Sequence, residues 1–230
     1  MKEAHFGLSG NALKIIAMIS MLFDHIGFYL FPHIAVLRWI GRLAFPIFAY
    51  MIAEGCTYTK NRKRYFLLIA ALGVLCQVVV KVATGIRHMN ILITFTLSLA
   101  TIFAIEALLK NRTPRSCVLS ALTLAFVVFV TVAMPRMFTG FVIDYDEFGV
   151  ILPVLVYFAR GKWQKLLATT VVLIAFALVS ASRQWFSLLA LPLLALYSGK
   201  RGRARLKYLF YVFYPTHQAI LWLIAEFLLD

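Results

Sequence analysis

Apolar residues in this chain fall into long runs separated by short polar stretches. Windows over 11–31, 34–57, 65–83, 91–109, 117–134, 148–159, 165–181, 186–198 and 208–228 are predominantly apolar. A helix needs roughly 20 such residues to cross a hydrocarbon core, with a range of about 17–25. The pattern therefore predicts an all-α, polytopic membrane bundle of about nine spans. The sixth and eighth windows are short, and each reads as a tilted span or a re-entrant segment.

The polar punctuation sets a direction. Lys60, Arg62, Lys63 and Arg64 follow the second window; Lys110, Arg112 and Arg115 follow the fourth. Arg160, Lys162 and Lys165 follow the sixth, and Lys200, Arg201, Arg203, Arg205 and Lys207 follow the eighth. These alternate connections hold 15 of the 23 basic residues, whereas the intervening ones hold Arg87, Arg136 and Arg183. The connection after the fifth window carries Asp144, Asp146 and Glu147. Basic residues concentrate in cytoplasmic loops, which places the N-terminus in the cytoplasm and Asp230 outside.

Composition closes off other classes. With 63% apolar and 14% charged residues, the chain departs from soluble domains, which run near 45–50% and about 25%. A net charge of +14 would ordinarily suggest nucleic acid, but here the excess marks loops, and no nucleic-acid partner is expected. Cys56, Cys76 and Cys117 lie in or beside apolar runs and read as small apolar residues. The first apolar run is too long for a cleavable signal peptide and is interrupted by Asp24 and His25. Residues 1–230 are read as a single domain embedded in the lipid bilayer. No metal is expected.

Ionisable groups inside a bilayer cost about 2.5–3.5 kcal/mol on insertion scales, so each needs a reason. Lys14, Asp24 and His25 lie in the first window, Arg38, Arg42 and Glu54 in the second, and His217 in the last. Lys81, Glu106 and Glu226 sit near window ends, where snorkelling suffices. His5, His33 and His88 fall in the tail or in connections.

Lys14 and His25 are eleven positions apart, which returns to nearly the same helix face about 16 Å along the axis. A cation at one end of a stripe and a base at the other suits a long ligand with an anionic head and a reactive tail, as coenzyme A has. The alternative is that Lys14 snorkels and His25 hydrogen-bonds a neighbouring helix. Asp24, being adjacent to His25, projects roughly 100° away and is not its helical partner. It is expected to pair with Arg38 or Arg42, which share a face, unless a loosened helix brings it to His25. Pro46 is expected to kink the second span.

The strings LKIIAMISMLFDHIG (13–27), GRLAFPIFAYMIAEG (41–55), DYDEFGV (144–150) and YSGKRGRARLKYLFYVFYPTHQ (197–218) resemble TraX-family proteins in order along nearly the whole chain. That family is associated with N-terminal acetylation of conjugative pilin. It looks related to a superfamily of transmembrane acyltransferases whose first span carries Arg or Lys, ten residues, then a catalytic His. Lys14 and His25 match that spacing. The resemblance implies acetyl-CoA supplied from the cytoplasm and an acceptor outside, a pilin or another envelope component.

On that basis His25 is expected to act as general base or acyl carrier, with Asp24 and Arg42 in the catalytic group and Arg42 or Arg38 facing the oxyanion. Lys14, Arg38, Arg203, Arg205 and His217 are expected to hold the CoA. The acidic trio Asp144, Asp146 and Glu147 reads either as a solvated loop or as an attractor for a cationic amine. Two other readings fit the same polar groups: a small transporter or scramblase, and a non-enzymatic partner in pilus assembly.

Overall fold

The computed structural model describes residues 7–85, 88–180, 182–202 and 206–229. The chain is all-helical there, with isolated bridges at Leu8–Tyr197 and Met89–Ile143 in place of strands. The helices are α1 (Gly10–Tyr29), α2 (Ala35–Gly41), α3 (Ala44–Tyr58), α4 (Arg62–Thr84), α5 (Ile91–Lys110) and α6 (Pro114–Val128). A π-helical turn (Phe129–Ala133) leads into α7 (Met134–Met137), followed by α8 (Asp146–Phe158) and α9 (Lys162–Val179). A 3-10 segment (Ser182–Leu189) runs into α10 (Ala190–Ala195), and α11 is Lys207–Leu229.

Every apolar window is thus helical. Among the described residues, six stretches are long and apolar enough to cross a membrane: Gly10–Tyr29, Ala35–Tyr58, Arg62–Val82, Ile91–Lys110, Pro114–Met137 and Lys162–Val179. The windows at 148–159 and 186–198 correspond to shorter elements, the 13 residues of α8 and the eight- plus six-residue pair ending in α10.

Local chemistry explains where elements start and stop. Asn61, Asn90 and Thr113 cap α4, α5 and α6 by accepting from Arg64, Leu92 and Ser116 backbone N–H groups. α4 ends on Gly85 at φ 68°, a left-handed cap suited to glycine. The second window breaks at Arg42–Leu43. Pro46 has no N–H for the carbonyl four residues back, which is that of Arg42, so the break falls one turn before the proline. Pro135 lies just after the π turn, where a widened helix absorbs its missing donor.

The chain forms two compact units, one of Met1–Met51 with Ala159–Asp230, the other Ile52–Phe158. In the first, α1 packs on α2 and α11, while α9 packs on the 3-10 segment and α10. Leu13, Ala17, Met18 and Met21 of α1 are buried, whereas Ile15, Ile19 and Phe23 lie exposed along another face. A helix in water would turn polar residues outward there; an apolar outer face suits lipid. In the second unit α5 packs on α4, α6 and α8. Leu97, Val127, Ile143 and Val150 form a buried cluster.

Charges in this second unit segregate to its two ends. Arg62 and Lys63 of α4 line a cleft with Glu106 and Lys110 of α5. The far ends of the same helices meet the 141–144 stretch, where Met89 N–H donates to Val142 O (2.7 Å) and Asp144 N–H to Met89 O (3.0 Å). The acidic residues Asp144, Asp146 and Glu147 belong to that opposite end.

Candidate functional site

The first unit holds the site, which is built along α1. Its N-terminus is fixed from two directions. Ser9 Oγ accepts from Ala12 N–H at 3.1 Å. The backbone N–H groups of Gly10 and Asn11 donate to the carbonyls of Lys200 and Arg201 at 2.8 and 2.9 Å. The basic connection before α11 is thereby tied to the positive end of the α1 dipole, one turn from Lys14, where helix N–H groups and cations favour anions. Lys14 Nζ lies 5.4 Å from the centroid of the Phe210 ring on α11.

Between Lys14 and His25 the same face carries Met18 and Met21, both buried. At the far end His25 Nδ1 stands 2.8 Å from His217 Nε2. His217 Nδ1 in turn lies 2.7 Å from the Phe213 carbonyl oxygen. Phe213 stacks on the His217 ring (4.5 Å between centroids, 7° between planes), and Tyr214 meets it edge-on at 5.9 Å. Because Lys14 meets Phe210 and His25 meets His217, α1 and α11 run parallel.

Asp24 does not turn to His25. Arg38 Nη1 donates to Asp24 Oδ2 at 2.9 Å and also to its backbone carbonyl at 3.1 Å. Arg42 Nη2 donates to Asp24 Oδ1 at 2.5 Å. Side chains of all three are largely buried, at 13% exposure for Asp24, 21% for Arg38 and 11% for Arg42. The close crossing of α1 and α2 depends on glycines. A Cβ on Gly41 would fall 2.2 Å from Asp24 Oδ1, and one on Gly27 would fall 2.8 Å from Leu37 Cβ.

Of the residues singled out from sequence, Asp24, His25, Arg38, Arg42 and His217 thus gather at one end of the stripe and Lys14 stands at the other. Arg203 and Arg205 lie outside the described residues, as do His5, Arg87 and Asp230. The acidic stretch in the second unit has its own geometry. Tyr145 and Asp146 take positive φ of 63° and 47°, a region that side chains with a Cβ disfavour. Burial, and then the neighbouring Glu147, push the Asp146 carboxyl above the usual Asp range.

The family model described as TraX protein matches residues 9–225. The chain belongs to the TraX family. It is 26% identical over 246 aligned positions to the "Probable fimbrial assembly protein FimC, serogroup H1" of Dichelobacter nodosus, covering 93% of this chain and 94% of that one. It is also 38% identical over 68 residues to the "Uncharacterized protein RP591" of Rickettsia prowazekii (strain Madrid E). That match covers 30% of this chain and spans a quarter (25%) of the rickettsial protein's length. No solved structure matches the chain.

This TraX-family structure also holds a cluster that sequence reasoning passed over. Arg62 Nη1 pairs with Glu106 Oε2, and Arg62 Nη2 donates to the Tyr157 hydroxyl at 2.6 Å. Tyr157 donates to Glu106 Oε1 at 2.8 Å, and Lys110 reaches the same oxygen at 3.1 Å. Glu106 is therefore the hub of a network joining α4, α5 and α8 rather than a snorkelling end residue. Its i,i+4 spacing to Lys110 is the one sequence signal that could have revealed it.

Proposed function

We propose that this TraX-family protein is an integral membrane acetyltransferase. It takes an acetyl group from cytoplasmic acetyl-CoA and transfers it to an acceptor at the outer side of the bacterial inner membrane, best matched by the N-terminal amine of a pilin. The observation that carries this reading is the buried stripe of α1, with Lys14 among basic loop residues at one end and His25 some 16 Å away at the other. The fimbrial-assembly name of the Dichelobacter relative supports a pilus subunit as acceptor.

In this mechanism Lys14, with Lys200 and Arg201 beside the α1 N-terminus, holds the CoA phosphates. Arg203 and Arg205 extend that basic set, and Arg38 contributes at the CoA end nearest the thioester. His25 takes a proton from the attacking amine as the nitrogen bonds to the thioester carbonyl carbon. The negative oxygen that results is stabilised by the Arg42 guanidinium, which Asp24 holds in place beside Arg38. Collapse breaks the C–S bond, and the departing thiolate takes the proton from His25. The products are the acetylated amine and CoA with a free thiol, and His25 is returned to its starting state.

The test is transfer from [14C]acetyl-CoA into membranes carrying His25→Ala. Label incorporation should fall to background while the protein remains folded and inserted, and undiminished transfer would overturn the reading. The relative's name also favours a second reading, a non-enzymatic partner in pilus assembly. Thermal unfolding in detergent separates the two, because only the enzyme should be stabilised by acetyl-CoA.

A further inference from the structure

We propose that His217 is a positioning residue that fixes the tautomer of His25, leaving His25 Nε2 as the basic nitrogen that faces the acceptor. This deepens the acetyl-transfer reading and rests on it for its kinetic arm. It also gives His217 a different task from holding CoA.

One atom in the relay has a role that admits no choice. The Phe213 carbonyl oxygen accepts hydrogen bonds and cannot donate. His217 Nδ1, 2.7 Å away, must therefore carry the proton. In a neutral imidazole the other nitrogen is then the acceptor, so His217 Nε2 presents a lone pair. His25 Nδ1 lies 2.8 Å from that lone pair and must donate to it. The proton on His25 is thereby assigned to Nδ1, and the lone pair to Nε2. A helix carbonyl on α11 thus dictates, through two rings, which nitrogen on α1 is basic.

Packing holds the relay in register. The His217 ring is stacked by Phe213 at 4.5 Å and met edge-on by Tyr214 at 5.9 Å, and only 5% of the residue is exposed. A ring clamped this way cannot turn to offer Nδ1 to His25 without giving up its own helix carbonyl. Asp24, adjacent to His25 in sequence, is committed to Arg38 and Arg42. In the transfer step His25 Nε2 gains the proton from the amine and later gives it to the thiolate. While it is held, Nδ1–H remains hydrogen-bonded to His217, which steadies the imidazolium.

The test has two arms. The first reads the tautomer directly, by 15N NMR of histidine-labelled full-length protein in nanodiscs, with His25→Ala and His217→Gln used to assign the signals. The expected result is His25 protonated at Nδ1 and bare at Nε2; the opposite tautomer overturns the proposal. This arm does not depend on acetyl transfer, so it decides the relay even if the wild-type protein fails to turn over acetyl-CoA. Such a failure would instead sink the proposed activity.

The second arm is kinetic, with [14C]acetyl-CoA as donor. His217→Phe removes the acceptor and should lower kcat by about 10²–10⁴-fold, with KM for acetyl-CoA nearly unchanged. His217→Gln can place an amide oxygen near the Nε2 position and should recover a large part of that loss. A rise in KM at constant kcat would identify His217 as a CoA contact and overturn the positioning role. So would equal activities of the Phe and Gln variants.

Discussion

Replacing Gly41 by alanine is the sharpest probe of how the site is assembled. The added Cβ would fall 2.2 Å from Asp24 Oδ1, 2.3 Å from Asp24 Cβ and 2.5 Å from Asp24 Cγ. A clash with Oδ1 alone could be relieved by rotating the carboxylate. The clash with Asp24 Cβ cannot, because that atom is fixed by the α1 backbone. Ordinary contact is about 3.5–4 Å, so the two helices must separate by more than an ångström at this crossing. Arg38 and Arg42 sit on or at the end of α2, within three residues of Gly41, and would be carried away from Asp24.

Disrupting a buried ion pair so that its charges are left uncompensated costs about 3–5 kcal/mol. Gly41→Ala should cost that much, against under about 1 kcal/mol for Gly161→Ala, where an added Cβ meets nothing within 4 Å. The measurement is reversible unfolding in mixed micelles, repeated in an Asp24→Ala background. With no ion pair left to disrupt, the Gly41→Ala penalty should shrink to that of the remaining Cβ contact, giving a coupling of about 0.5–3 kcal/mol. Strictly additive penalties, or a Gly41→Ala protein as stable as the parent, would refute the argued dependence of the ion-pair cluster on this glycine.

Two further outcomes follow from the same structure. Lys14→Ala should raise the KM for acetyl-CoA by roughly 10–100-fold, the loss of one charge-assisted phosphate contact of about 1.5–3 kcal/mol, with kcat less affected; an unaltered KM would remove Lys14 from the phosphate site. Asp146→Asn should stabilise the fold at neutral pH, because the folded carboxyl is pushed above its ordinary value and its ionised form is disfavoured. That advantage should fade as pH drops below the ordinary Asp range, where the carboxyl is protonated in both states, and comparing unfolding midpoints of the two proteins at acid and neutral pH checks the sign.

What could be read from sequence depended on whether partners share one helix. Lys14 and His25 lie on α1, so helical periodicity alone put them on one face. Asp24 has partners on a different helix, yet Arg38 and Arg42 stand at i,i+4 and present one cationic face, which made them visible together. His217 meets His25 across 192 positions of sequence, and no local period links them. Its place beside His25 was therefore not legible in the sequence. Arg62 and Glu106 failed for the same reason, being 44 residues apart on different helices. Element existence was legible because every window is strongly apolar. Crossing was less so, because α8 and the segment ending in α10 are short and apolar content alone does not say whether they traverse.

The composition of the ion-pair cluster bears on why it exists. Each charge placed in a bilayer costs about 2.5–3.5 kcal/mol, and pairing offsets that cost. A purely structural contact between α1 and α2 needs one anion and one cation. Here a single carboxylate is shared by two guanidinium groups, and both are brought in by the i,i+4 spacing of one short helix. In the proposed mechanism these two guanidinium groups, beside the residue that precedes His25 and kept tight by Gly41, are a preformed field for a developing negative charge. The structural role and the catalytic role proposed for these residues are therefore compatible: Asp24 holds the two arginines in place, and their guanidinium groups are what an oxyanion beside His25 would meet.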